Sequence, residues 1–233
     1  MRVPSLTLAV AGAALIAPAS LPVPAAAAPP RQAPAPRDED AVTAADLLAR
    51  LGRCDQVSRG RFRTDADSRA TVPVCGTRDA VYWKADLDID CDGQATARCN
   101  RRADPLFAAM TAFQQSDGRY LKAEKLPYIV VPAPSRRWHP HASGVRGGSV
   151  AAVVYRDRVR YAVVGDTGPR DLIGEASYAT ARALGIPADP RTGGTPSGVT
   201  YIVFRDSRVS PVEDHAEAAS TGERLARRFV SGK

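Results

Sequence analysis

Apolar and polar positions alternate along this chain in short blocks. Residues 42–51 (VTAADLLARL) carry apolar side chains at helical spacing, with Thr43 placed to cap the start and Gly52 to stop it. The 72–81 stretch is broken by Pro73 and Gly76 and predicts no more than a short strand and a turn. Residues 81–85 (VYWKA) predict a strand leading into an acidic run, 86–93 (DLDIDCDG), and Asp104-Pro105 opens a short predicted helix ending near Phe113. Residues 128–131 (YIVV) predict a buried strand ended by Pro132. Residues 149–155 and 158–164 flank Arg156-Asp157 as a hairpin, and 199–204 (VTYIVF) predict another strand. Between these lies the segment 161–186, YAVVGDTGPRDLIGEASYATARALGI. Its opening is apolar at every position, as in a strand buried on both faces, and is expected to break at Gly165 with Asp166 at the exit. Gly174 then precedes Glu175, which stands where a helix over 176–184 is expected to begin, with Gly185 as its stop. Residues 213–230 are amphipathic and predict a peripheral helix or frayed tail.

Five or six short β-branched strands, one central helix and long irregular loops point to a mainly β, single-domain fold, a barrel or sandwich with helical inserts. Arg2, the apolar 6–16 run and Ala25 to Ala28 make residues 1–28 a predicted secretory signal, too short in its apolar run to span a membrane. Residues 29–45, rich in Pro, Ala and charge, predict a disordered leader. The folded domain is then expected over 46–233, with its core at about 80–206 and a C-terminal helix or tail over 211–233. The mature protein is expected to be extracellular.

Four cysteines in an exported chain suggest two disulfides; Cys54 with Cys75 and Cys91 with Cys99 is the pairing favoured, since each closes a local loop. The formal net charge is +7, but the arginines are scattered and form no basic stripe with interleaved aromatics, so neither nucleic acid nor a membrane is expected as partner.

Asp166 and Glu175 each have an ordinary explanation, an Asx turn and a helix-start acid favoured by the dipole. Both on one short connection between buried elements, they suggest a pair facing one cleft, as glycoside hydrolysis requires. Asp86, Asp88, Asp90 and Asp92 would share a strand face and repel unless something positive compensates. From Asp88 the run begins like a calcium loop, but Cys99 stands where the bidentate glutamate belongs, and no metal site is expected there. Trp83, Tyr120 and Trp138 are candidates to stack on flat apolar ligand faces, Trp138 being the least easily assigned to a core because its loop is so polar. His139 and His141 lack a third metal ligand in sequence and read as solvated. No nucleotide-binding, zinc-peptidase or serine-hydrolase motif occurs.

In order, YWKADLDIDCDG, Asp104-Pro105, FQQSDGRYLKAEKLPYIVVP, YAVVGDTGP and IGEAS resemble the chitosanases of glycoside hydrolase family 75, over about residues 81–204. The resemblance implies an extracellular endo-acting hydrolase that cuts β-1,4 links of chitosan with inversion and needs no cofactor. Its two essential carboxylates would be Asp166 in the G-D-T block and Glu175 in the G-E-A-S block. Asp86, Asp88, Asp90 and Asp92 would attract glucosamine ammonium groups, and the enzyme is expected to work as a monomer. A shorter likeness, an apolar strand followed by D-T-G and I-x-G, is to the double-psi β-barrels of cell-wall lytic enzymes, and implies a six-stranded double-psi-like barrel. The competing expectations are a peptidoglycan-directed glycosidase or lytic transglycosylase, and a non-catalytic polysaccharide-binding protein of expansin type.

Overall fold

The computed structural model describes residues 41–232, so the signal expected at 1–28 and the leader up to residue 40 lie outside the described residues. The leader was expected to run to 45, but its last residues are folded. Thr43 caps helix α1 (Ala44–Ala49) in a reciprocal capping box with Asp46, and Ala44 is buried.

Eight strands follow: β1 (Asp55–Gln56), β2 (Cys75–Gly76), β3 (Ala80–Asp90), β4 (Tyr128–Pro132), β5 (Val150–Tyr155), β6 (Arg158–Gly168), β7 (Glu175–Ser177) and β8 (Thr195–Phe204). Six of them, in the order β3, β7, β4, β6, β5, β8, close into a barrel because β8 pairs back onto β3. The pairs β3/β7 and β4/β6 are parallel, and the long β3/β8, β5/β8 and β5/β6 ladders are antiparallel. Closure removes the open edges a six-stranded sheet would otherwise expose. This is the expected mainly β barrel, with helices and long loops inserted between its strands.

The strands read as apolar throughout because both of their faces are buried. Alternate residues fall into two clusters: Tyr82, Tyr128, Ala152, Val163 and Ile202 pack with α1 and the C-terminal helix α3 (His215–Ser231). Their neighbours Trp83, Ile129, Val153, Val164 and Tyr201 pack with Ala181 and Leu184 of α2 (Tyr178–Leu184). Helix α3 is no frayed tail. Ala218, Ala226 and Phe229 are buried, Phe229 meets Phe204 edge-on at 6.1 Å, and the carbonyl of Phe229 accepts from Arg50 Nε at 3.0 Å. Both expected disulfides are present, with Cα separations of 5.1 Å for Cys54–Cys75 and 4.9 Å for Cys91–Cys99. No described helix is long and apolar enough to cross a membrane.

Three local expectations are corrected. First, β6 does not break at Gly165. Its partners on β4 jump from Val164 opposite Ile129 to Asp166 opposite Val130, so Gly165 is the extra residue of a β-bulge and the strand runs on to Gly168. A Cβ there would stand 2.6 Å from Tyr128, which is why glycine occupies the bulge. Second, Glu175 does not begin a helix. It lies on β7, paired with Asp88 of β3, and α2 starts after the Ser177 cap, so a helix dipole has no part in its chemistry. Third, residues 104–113 form turns, not a helix. Their amides are claimed by carboxylates from elsewhere: Ala108 N donates to Asp92 and Ala112 N to Asp166, each at 2.7 Å.

Candidate functional site

The bulge at Gly165 decides where Asp166 points. Along β6, Ala162 and Val164 face one buried cluster and Val163 the other. The extra residue shifts Asp166 onto the side of Val130, where both line a cleft of about 540 Å³. Glu175 reaches the same cleft from β7, on the other flank of β4. Its Oε2 lies 2.7 Å from the position a Cβ on Gly168 would take, so the carboxylate leans across β4 towards the end of β6. Two inter-strand spacings separate the backbones that carry the pair, about 9–10 Å.

Asp88, Asp90, Asp92, Asp104, Asp166 and Glu175 line this cleft, with Arg191 as the one cationic side chain in its wall. A carboxylate-rich cleft suits a cationic ligand, and the positive net charge of the chain lies elsewhere. Arg59, Arg136, Arg137, Arg205 and His139 gather in a separate pocket whose described lining has no carboxylate.

The carboxylates are not equally provided for. Asp166 Oδ1 accepts two backbone hydrogen bonds, from Ala112 N and Thr167 N, both at 2.7 Å. Asp92 Oδ1 accepts from Ala108 N. Asp90 Oδ1 accepts from Asp92 N at 2.6 Å and from the hydroxyl of Tyr128 at 3.1 Å. Among the described residues no donor reaches the carboxylate of Glu175. Burial, followed by the fields of Asp88, Asp92 and Asp166, pushes its pKa up to about 7. Burial also raises Asp166, but its two N–H donors stabilise the ionised form and oppose the shift. Asp92 rises to about 6 and Asp90 well above its ordinary range, in both cases chiefly through burial.

The remaining expected site residues are placed differently. Asp86 is buried behind the cleft and is not part of its lining. Trp83 is 1% exposed and stacks on Tyr201 at 5.3 Å with an interplanar angle of 13°, so it belongs to the core. Trp138 is core as well. The polar residues around it mark where the loop meets solvent, while its ring turns inward against Phe62 and Trp83 and its Nε1 donates to Ser143 Oγ. Tyr120 is half-buried outside the cleft lining, and its carbonyl accepts from Gln94. Neither tryptophan is free to stack on a ligand. His139 and His141 are exposed, as expected.

Four contributors escaped the sequence reading. Tyr128 was read only as the first residue of a buried strand, yet its hydroxyl holds Asp90. Asp104 was taken as a helix opener, and Thr167 went unremarked. Arg191 laces the 189–193 loop to the carbonyls of Arg102 and Ala103, at 2.7 and 2.9 Å. Nothing local to the 189–193 segment signals that contact.

A family model described as fungal chitosanase of glycosyl hydrolase group 75 matches residues 87–229, a span that contains the whole β3-to-β8 cleft from Asp88 onward. The chain belongs to that family. Among its relatives, an endo-chitosanase of Aspergillus fumigatus is 29% identical over 176 residues, 69% of this chain and 74% of that protein. Endo-chitosanase B of an Aspergillus oryzae strain is 31% identical over 179 residues, again 69% of this chain and 74% of that protein. Endo-chitosanase C of Aspergillus oryzae is 30% identical over 138 residues, 57% of this chain but only 33% of the longer relative. Group 75 membership makes the protein a glycoside hydrolase, and the acidic cleft brings Asp166 and Glu175 together within the matched span.

Proposed function

We propose that this protein is an endo-acting chitosanase in which Glu175 is the general acid and Asp166 the general base of an inverting hydrolysis of β-1,4 links between glucosamine units. The observation that carries the assignment is the unequal provision of the two carboxylates. Asp166, whose two N–H donors favour the ionised form against its burial, is suited to accept a proton from water. Glu175, buried without a donor and surrounded by negative charge, is suited to hold the proton that the leaving oxygen needs. Inversion is the outcome implied by the resemblance to family 75, and it requires carboxyl groups roughly 6.5–9.5 Å apart so that a water fits between base and anomeric carbon. Asp88, Asp90, Asp92 and Asp104 would receive the ammonium groups of the polymer.

In the reaction, Asp166 orients a water on one face of the sugar and takes its proton as the C–O bond forms. Glu175 gives its proton to the glycosidic oxygen as the opposite bond breaks. The chain would act outside the cell, as a monomer, after removal of its signal.

The test is to count reducing ends released from chitosan by the wild type, Asp166→Asn and Glu175→Gln, and to read the product anomer by NMR. Wild type inactive on chitosan would end the functional reading. Activity persisting in both variants would end the assignment of roles, and product retaining the β configuration would end inversion. A peptidoglycan-directed reading fits less well, because that polymer carries carboxylates into an acidic cleft. A purely adhesive protein would need neither member of the pair.

A further inference from the structure

A second set of carboxylates shares Asp88 with the cleft wall. Asp65, Asp86 and Asp88 each bring one oxygen into a group whose members all lie within 4.8 Å of one another. Three chain segments meet there: the 64–68 turn, β3, and the 171–173 stretch, which exchanges hydrogen bonds with Arg63 at 2.9 and 3.0 Å. Acidic groups on a surface need no explanation, but Asp86 is not on the surface. It is 4% exposed, its Oδ1 is buried with no hydrogen-bond partner among the described residues, and its own amide is the backbone donor that favours its ionised form. Among the described residues, none of the three takes part in an ion pair. Among the described residues, the sole side-chain donor to the group is the hydroxyl of Thr64, bonded to Asp65 Oδ2 at 3.0 Å. A buried carboxylate facing two others, with no donor and no cation, lacks the compensation that such charges require.

We propose that Asp65, Asp86 and Asp88 form a calcium site that ties the 64–68 turn to β3. The donor set is all carboxylate oxygen, which selects a hard cation over zinc or copper. Three oxygens share one ion at about 2.3–2.6 Å, the calcium–oxygen distance, when they stand within roughly 4.5 Å of one another, so a group whose members all lie within 4.8 Å needs at most a small shift, whereas the roughly 2.0–2.1 Å and strict octahedron of magnesium demand a tighter group. Asp65 and Asp88 are exposed, so water has access to the remaining coordination positions. The site differs from the calcium-loop pattern that begins at Asp88. In that pattern Asp90 and Asp92 would be ligands, yet both turn instead towards Asp166. The ligand missing from the local motif is supplied by Asp65, from a turn far away in sequence. Asp88 also lines the cleft, so a bound ion would leave Asp90, Asp92 and Asp104 to receive ammonium groups, and the test reads calcium binding alone, whichever polysaccharide the cleft accepts.

The purified full chain, stripped with a chelator, is titrated with calcium chloride by calorimetry, and its thermal unfolding is followed with and without the ion. The expected result is saturable binding of about one ion per chain with a Kd of roughly 10⁻⁵–10⁻³ M, and a Tm higher by about 5–10 °C at a hundredfold excess over Kd. Magnesium binds at least about tenfold more weakly. Asp86→Asn and Asp65→Asn each abolish binding and the Tm response. Asp65 lies on an exposed turn, so its variant keeps the test valid if the buried one fails to fold. Asp90→Asn keeps the response. The proposal is overturned if calcium neither binds nor shifts Tm in the wild type, if the response survives in Asp65→Asn, or if it is lost in Asp90→Asn alone.

Discussion

Two trios of aspartate meet along β3, which carries Asp86 and Asp88 of one and Asp90 of the other, and are treated in opposite ways. Asp90, Asp92 and Asp166 are supplied with donors: a buried tyrosine hydroxyl and four backbone amides, two of them from the 104–113 turns. Asp65, Asp86 and Asp88 receive one hydroxyl between them. The first arrangement gives each carboxylate hydrogen bonds that orient it in an open cleft and oppose the upward push of burial on its pKa. The second leaves a demand that a cation answers. What a cluster of acids does is therefore decided less by the acids than by what points at them, and that comes mostly from distant parts of the chain.

The largest expected effect tests the donor-supplied side. Asp166→Asn, which keeps the shape and removes the base, should lower kcat on chitosan by about 10²–10⁴-fold with little change in KM, measured by reducing-end assay. A loss confined to KM would mean that the trio binds and does not react. The next effect concerns Glu175, which no donor supplies. Its pKa is raised in the folded protein, so the native state binds its proton more tightly than the unfolded chain does. That contribution to stability is full below about pH 4 and falls away as pH rises to about 7. In calcium-free buffer at pH 8, Glu175→Gln should therefore be more stable than the wild type by about 1–3 kcal/mol in urea unfolding, the difference vanishing near pH 4. The same ionisation sets the alkaline limb of activity near pH 7 in the wild type. Smaller again, Tyr128→Phe removes the hydroxyl that bonds Asp90 and should cost about 1 kcal/mol of stability in the same denaturant series. Smallest, Arg136→Ala in the basic pocket away from both trios should leave kcat/KM and stability within about 0.5 kcal/mol of the wild type. A large loss there would show that the basic pocket belongs to the site.

Much of this was legible in residues. Asp166 and Glu175, both disulfides, the hairpin at Arg156 and the cap at Thr43 all depend on neighbours close in sequence. The failures share a different cause. Glycine inside an apolar run signals a break and a bulge equally well, and only the register against β4 distinguishes them at Gly165. Glu175-Ala176-Ser177 is too short to declare a strand, and its partner Asp88 lies far back in the chain. Trp138 sits in a loop as polar as any, and its burial follows from Phe62 and Trp83 meeting it in space. Asp65 carried no local signal at all. Burial and pairing across long separations are properties of the closed barrel, and no window of sequence contains them.

The cleft wall has one further consequence. Six carboxylates faced by a single arginine set up a field that draws a polycation in from a distance and also resists letting it go. Ionic strength then acts as a release control. Added salt screens the attraction within about a Debye length, slowing capture of long chains while freeing the cut ones. Where product departure limits turnover, this barrel should work fastest at an intermediate salinity and not in the most dilute medium.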